Sequence, residues 1–319
     1  KRRRRRLKMR EVAVISSAVH QVEALTFTTD VQLMVPLINQ ARDSVGLCQD
    51  EIGFTCSGSS DFLAGQGFSF VQPLDAVGAF PPIAESHVEM DGAFALYEAW
   101  VKLQIGEVDT ALVYSYGKSS PGSRRDVLAV QLDPYNMAPL WPDAHSVAAL
   151  QARRLLESGV VTVEELAGIA VRSQHNAVGN PNALRASADV TVDDVLAGVV
   201  VADPLRAADL AAEADGGCAM VLAAGDRARE LCDRPAWIRG IDHRIDAHGL
   251  GVRDLTRSPS AILAVARAAD QAGFEADAVD VALTTRLAER ARPELAVPRA
   301  AREPARAARP VPEEASQAS

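Results

Sequence analysis

The chain has 319 residues, 48% of them hydrophobic and 24% charged, enough apolar material for one large globular domain or two similar ones. A net charge of −9 argues against nucleic acid as the main partner, and no apolar run reaches the roughly 18 residues that span a bilayer. The four cysteines, Cys48, Cys56, Cys218 and Cys232, form no CxxC pair and no ligand spacing with histidine, so neither a disulfide framework nor a metal site is expected, and scattered thiols fit a reducing cytoplasm.

The chain opens KRRRRRLKMR. No apolar region follows, so this is no signal peptide. Residues 1–8 are read as a basic tail outside the native fold before Met9, or else as an arm for an anionic surface. EVAVISSAV (11–19) is near-continuously apolar and predicts a buried strand. VQLMVPLINQARDSVG (31–46) has helical spacing, ends at Gly46 and contains Pro36 as an early-turn proline or a kink. EIGFTCSG (51–58) predicts a second strand, and residues 62–78 a helix or a glycine-broken segment.

In HVEMDGAFALYEAW (87–100) Ala93, Leu96, Tyr97, Trp100 and Val101 follow one helical face. Asp91 is the expected N-cap and Gly106 the stop. TALVYSYG (110–117) is a further buried strand. Strand, helix, strand with short links predicts a parallel α/β sheet. Residues 121–205 change character, with helices expected near 143–157, 162–177 and 191–199. GGCAMVLAAG (216–225) returns to the sheet. After a linker at 233–235, a strand (236–245), a helix (258–273) and a strand (278–283) repeat the earlier order, a weak sign of duplication.

The stretches GAFALYEAWVKLQIGEVDTALVYSYGKSS (92–120), ADPL (202–205), DGGCAMVLAAGD (215–226) and AVDVA (278–282) resemble the thiolase superfamily. CSGSSDFLAGQGFSF (56–70), ESHVEMDGAFALYEAW (85–100), LDPYNMAPLWPD (132–143) and AHGLGVRDLTRSPS (247–260) are similar to its lipid-transfer, or sterol-carrier-type, branch, often labelled acetyl-CoA acetyltransferase. The resemblance runs from about Met9 to Ala282. It implies a duplicated, layered α/β fold with an incomplete second half. Residues 9–120 with 206–232 would form the first half, 121–205 an inserted loop domain, and 233–282 the incomplete second half.

In a thiolase a cysteine lies three residues before the glycine that opens the helix, where the dipole stabilises its thiolate. Here the glycine is Gly92 and that position holds Glu89. A carboxylate is a poor acyl carrier. The resemblance therefore implies retro-aldol cleavage of a β-hydroxyacyl-CoA rather than thiolysis, in lipid or sterol side-chain breakdown. That reaction needs a base and an oxyanion hole but no thiol. A catalytically inactive acyl-CoA-binding or scaffolding subunit is the alternative.

Glu89 is the candidate base, or else a solvated acid that favours the dipole. His87 shares its proton or fills a loop. Tyr116 donates to an oxyanion or is structural. His175 and Asn176 resemble the stretch bordering the CoA channel, and Arg125 suits phosphate oxygens or is an ordinary loop cation. Cys56 and Cys218 read as core. His243 and His248 have no metal-site spacing. No cofactor is expected, with coenzyme A entering as part of the substrate. The resemblance implies a homodimer, or a heteromer with a thiolase-like paralogue and a small OB-fold protein. Beyond Ala282 the chain turns rich in Ala, Arg and Pro and predicts disorder. Residues 283–319 are read as a shifted reading frame or as a variant tail.

Overall fold

The computed structural model describes residues 9–279 apart from 26, 65, 66, 119, 248 and 275–277. The expectations for 1–8, His248, 283–319 and most of the strand at 278–283 lie outside the described residues.

Strand β1 (Val12–Val22) leads to helix α1 (Asp30–Asp43), which runs through Pro36. A capping box starts it: the Thr29 hydroxyl accepts from Gln32 N, and the Gln32 side chain accepts from Thr29 N, satisfying two otherwise orphaned donors. β2 (Phe54–Ser59) follows. The segment expected as helix or irregular divides into α2 (Asp61–Ala64) and α3 (Val71–Val77). Next come β3 (Glu85–Glu89), α4 (Gly92–Gln104) and β4 (Thr110–Gly117). Asp91 caps α4 and Gly106 stops it in the left-handed conformation (φ 75°), where the absence of Cβ removes the strain.

The middle region carries α5 (Arg124–Ala129), α6 (Ala144–Glu157), α7 (Val163–Ala177) and α8 (Val192–Ala197). The short strands β5 (Val200–Ala202) and β6 (Leu205–Arg206) pair with each other. β7 (Asp215–Ala224), α9 (Gly225–Leu231), β8 (Ala236–Trp237) and α10 (Pro259–Ala272) complete the described elements.

The six-stranded sheet has the order β3-β2-β4-β7-β1-β8. It corrects the parallel expectation: β3, β2 and β4 are parallel, whereas β4–β7, β7–β1 and β1–β8 are antiparallel. Helical crossovers carry β2 to β3 and β3 to β4, which permits parallel pairing. β7 re-enters from the opposite end after the long middle region.

Each face of the sheet has its own core. On one side Leu33, Met34, Leu37 and Ile38 of α1 pack on Leu112, Tyr114, Ala219 and Val221. On the other, α4 packs on Phe54, Cys56, Val113 and Leu222. Each large side chain removed from water contributes about 1.5–3 kcal/mol. The buried stripe of α4 is Ala95, Ala99, Trp100 and Leu103, while Ala93 is exposed. Of the stripe expected through Ala93, Leu96, Tyr97, Trp100 and Val101, Ala93 alone stands outside the core, which gains Ala95, Ala99 and Leu103. The reason is proximity: a Cβ on Gly92 would lie 2.8 Å from Ser115 Cβ, so the helix meets the sheet through its small residues.

The strand expected over 236–245 shrinks to two residues. Ile238 N still donates to the Val12 carbonyl (2.8 Å). By Ile241 the chain has left the sheet, and its N–H donates to Gln271 of α10 (2.9 Å).

Candidate functional site

The parallel strands β2, β3 and β4 end side by side, and beyond their carboxyl ends lies a cleft of about 480 Å³. Open α/β sheets hold ligands at this edge. Asp30, Ser59, Asp91, Ser115, Tyr116 and Lys118 are among its lining residues.

Most of these polar groups already have work. The Asp91 carboxylate accepts from Ala93 N (2.9 Å) and Phe94 N (3.3 Å) as the cap of α4. The Tyr116 hydroxyl donates to the Ser69 carbonyl (2.9 Å), and burial pushes its pKa up. It could donate to an oxyanion only by giving up Ser69. The Lys118 ammonium donates to the Thr28 carbonyl. Behind it the fully buried Asp215 accepts from Leu25 N (2.8 Å), Ser120 N (3.0 Å) and the Ser120 hydroxyl, fixing the segment that carries Lys118. Asp30 is half-buried at the first position of α1. Burial pushes its carboxyl pKa up, and the Lys118 ammonium partly offsets this.

Glu89 corrects the expected placement at the helix start. It is the last residue of β3. Because residues 87 and 89 alternate with Val88, their side chains face away from α4, which packs on Val88. Glu89 Oε1 accepts from Asp61 N (2.8 Å), and Oε2 lies 3.6 Å from His87 Nε2, too far for a hydrogen bond. His87 Nδ1 lies 2.9 Å from Ser57 Oγ, and its ring stacks on Phe70. The Asp61 carboxylate accepts from Phe68 N (2.7 Å), Ser69 N (2.9 Å) and Ser69 Oγ (2.8 Å). These bonds hold its pKa below the usual carboxylate range. This polar network adjoins the cleft through Ser69 and Tyr116.

The two thiols within the sheet, Cys56 and Cys218, are shifted toward their neutral form. Burial pushes Cys56 up to about 12, with the Glu98 and Glu85 charges adding to the shift. Cys218, expected in the core, is half-buried and lies near the head of α4. Burial raises its pKa, a backbone hydrogen bond at Ser115 lowers it, and the Asp91 charge raises it.

Tyr116 is the expected candidate found on the cleft wall. Arg125 is exposed on α5, its Nε 3.8 Å from Asp143 Oδ2, two residues before the lining Val127. His175 and Asn176 are exposed at the end of α7, where His175 Nε2 meets the Val190 carbonyl (3.0 Å). His243 packs edge-on against Phe94 and Tyr97. The sequence reading passed over Asp30, Ser59, Ser115 and Lys118. A position at the carboxyl end of a strand, or in the first turn of the neighbouring helix, was the available signal.

No protein-family model matches the chain. Over 137 residues, 43% of this chain and 36% of the relative, it is 33% identical to an acetyl-CoA acetyltransferase of Methanothermobacter thermautotrophicus. Over 92 residues, 29% of this chain and 24% of the relative, it is 34% identical to a steroid side-chain-cleaving aldolase of Thermomonospora curvata. The matched stretches thus span about a quarter to a third of these relatives. Among solved structures, the Ltp2–ChsH2(DUF35) aldolase aligns with a TM-score of 0.75 at 20% identity, over 91% of this chain and 78% of that one. A monomeric SCP2-thiolase like protein type 1 from Mycobacterium smegmatis aligns with a TM-score of 0.61 at 17% identity, over 85% and 59%. At these identities the structural likeness is one of fold.

Proposed function

We propose that this chain, a thiolase-like protein of the lipid-transfer branch, splits a carbon–carbon bond in a lipid or sterol CoA thioester by a retro-aldol reaction that uses no thiol. The observation that carries this reading is the state of the nucleophile candidates. Glu89 stands where an acyl-carrying cysteine would be, and its carboxylate is tied to Asp61 N. The two thiols nearest the sheet, Cys56 and Cys218, are both shifted toward the neutral form. Acyl transfer through sulfur needs a thiolate, whereas retro-aldol cleavage needs proton transfer and a stabilised enolate. The relative named as a steroid side-chain-cleaving aldolase supports the same choice.

Lys118 has three donor hydrogens and gives one to Thr28. The others are available for the enolate oxygen of the thioester. Tyr116 and the serine hydroxyls border the reacting carbons. His87 and Glu89 hold the β3–α2 junction against Tyr116 and act as positioning residues. Arg125, with His175 and Asn176 further out, is assigned to the phosphates of coenzyme A. Its loose ion pair leaves the guanidinium able to turn. Among the described residues β3 pairs with β2 alone, so its free edge is the proposed place for a second copy or a thiolase-like paralogue. A DUF35-type partner is proposed by analogy with the Ltp2–ChsH2(DUF35) aldolase.

The test is turnover of a β-cyclohexyl-β-hydroxypropanoyl-CoA thioester, followed by chromatography of the CoA products. Acetyl-CoA with the matching aldehyde is expected, unchanged within about twofold in a Cys56→Ala/Cys218→Ala variant. Loss of cleavage in that variant would return the chemistry to sulfur. Binding without product would favour an inactive acyl-CoA-binding subunit.

A further inference from the structure

We infer that Asp30 is the catalytic base of the cleft, the group that takes the proton from the substrate's β-hydroxyl. This rests on the retro-aldol reading and names the residue that reading leaves open.

The argument begins with what the other lining groups are doing. Asp91 is bonded to two amides of α4, Tyr116 points its proton at Ser69, and Lys118 is a cation held by Thr28. Glu89 stands outside the cleft wall with its carboxylate on Asp61 N. Asp30 differs from all of them. Asp30 lines the cleft, and among the described residues its carboxylate accepts no hydrogen bond. The capping of α1 does not need it, because Thr29 and Gln32 satisfy each other reciprocally.

Its position is also fixed. α1 has 14 residues, and Leu33, Met34, Leu37 and Ile38 anchor it in the core. The first turn therefore presents Asp30 from a rigid support. Half-burial raises the carboxylate's proton affinity, which makes it a better base at neutral pH than an exposed aspartate. The charged and titratable groups around it are Lys118 and Tyr116 at the end of β4, Asp91 before α4, and Asp61 on α2 beyond Tyr116. Lys118 lies close enough to stabilise the ionised form before reaction.

The step balances without another reactant. Asp30 takes the hydroxyl proton, and the O–H electron pair becomes the second bond of the new carbonyl. The Cα–Cβ bond breaks, its pair passing to Cα as the thioester enolate. The protonated Asp30 returns the same proton to Cα. A β-hydroxyacyl thioester becomes an aldehyde or ketone and a shorter acyl thioester.

The bland alternative is an acid that merely favours the α1 dipole. Two measurements on the full chain separate the readings. In turnover of β-cyclohexyl-β-hydroxypropanoyl-CoA, Asp30→Asn should lower kcat about 10²- to 10⁴-fold with KM nearly constant, and Asp30→Glu should recover part of the rate. Asp30→Asn is nearly isosteric, and a thermal melt of each variant checks folding. Cleavage by Asp30→Asn within threefold of the parent overturns the inference and leaves the retro-aldol reading standing. If the parent itself cleaves nothing, the retro-aldol reading falls, and carbodiimide labelling read by mass spectrometry decides the state of Asp30. It should be modified faster than the exposed Asp193 and be protected by the same thioester. Slower labelling, or labelling without protection, removes Asp30 from the site.

Discussion

The imidazole of His87 lies flat on the ring of Phe70, with centroids 4.4 Å apart and planes 12° from parallel, while Nδ1 reaches Ser57 Oγ at 2.9 Å. One side chain thus ties the edge strand β3 both to its neighbour β2 and to the segment leading into α3. The stack is worth about 0.5–1.5 kcal/mol and the hydrogen bond about 1 kcal/mol. His87→Ala should lower stability by about 2 kcal/mol in urea unfolding. His87→Phe keeps the ring but loses the bond, and should fall between that variant and the parent. Equal losses for the two would mean that the stack contributes nothing.

Asp215 is buried with no exposed surface and takes hydrogen bonds from two amides and a hydroxyl. Asp215→Ala would leave those donors without their acceptor, each buried orphan costing about 1–3 kcal/mol. Because Ser120 is two residues from Lys118, the same change should loosen the cleft. The expected result is a large drop in the urea midpoint together with a raised KM for the proposed CoA thioester. An unchanged KM in protein that is still folded would separate Lys118 from this anchor.

Acid should release Phe68 and Ser69 from Asp61. Three hydrogen bonds favour the charged form of Asp61 and lower its pKa in the folded protein. Its contribution is complete above the unfolded carboxylate value of about 3.9 and is lost as pH falls through the lower folded value. The protection of the Phe68 and Ser69 amides against hydrogen exchange, relative to the free-chain rate at the same pH, should fall below about pH 4. Asp61→Asn should show fast exchange at every pH. Protection in the parent that stays constant through this range would contradict the assignment.

Thiol reactivity offers a check on chemistry without turnover. With Cys56 pushed up to about 12, its thiolate fraction at pH 8 is about a thousandfold below that of an ordinary exposed thiol. Iodoacetamide should label the exposed Cys48 first, Cys218 more slowly, and Cys56 only on unfolding. Rapid labelling of Cys218 would mark it as an activated nucleophile and weaken the thiol-free mechanism.

Much of the backbone was legible from pattern. β4 matches its expected span of 110–117, and the cap at Asp91 and the stop at Gly106 fall where local rules put them. Those features depend on near neighbours in sequence. β3 was not legible, because ESHVE has no alternating apolar face. It becomes a strand through pairing with β2 on one side and packing of Val88 against α4. The face of α4 was legible only in part for a similar reason. Periodicity favours large side chains, but the sheet comes so near at Gly92 and Ser115 that alanines fill the contact. The cleft was the least legible part. Asp30, Ser59, Asp91 and Lys118 come from four separate stretches, and only the register of the sheet brings them together.

The strand order carries a cost at synthesis. Of the described strands β1 is made first, yet its partners β7 and β8 come nearly two hundred residues later. At about 5–20 residues per second, this apolar strand leaves the ribosome roughly ten to forty seconds before β7 can pair with it. Meanwhile β2, β3 and β4, which need only one another and their crossover helices, are free to assemble. The centre of the sheet therefore closes late, when β7 is made, and the β8 edge closes after it. A nascent chain stalled before Asp215 would carry an exposed, sticky strand, the kind of segment that holdase chaperones bind.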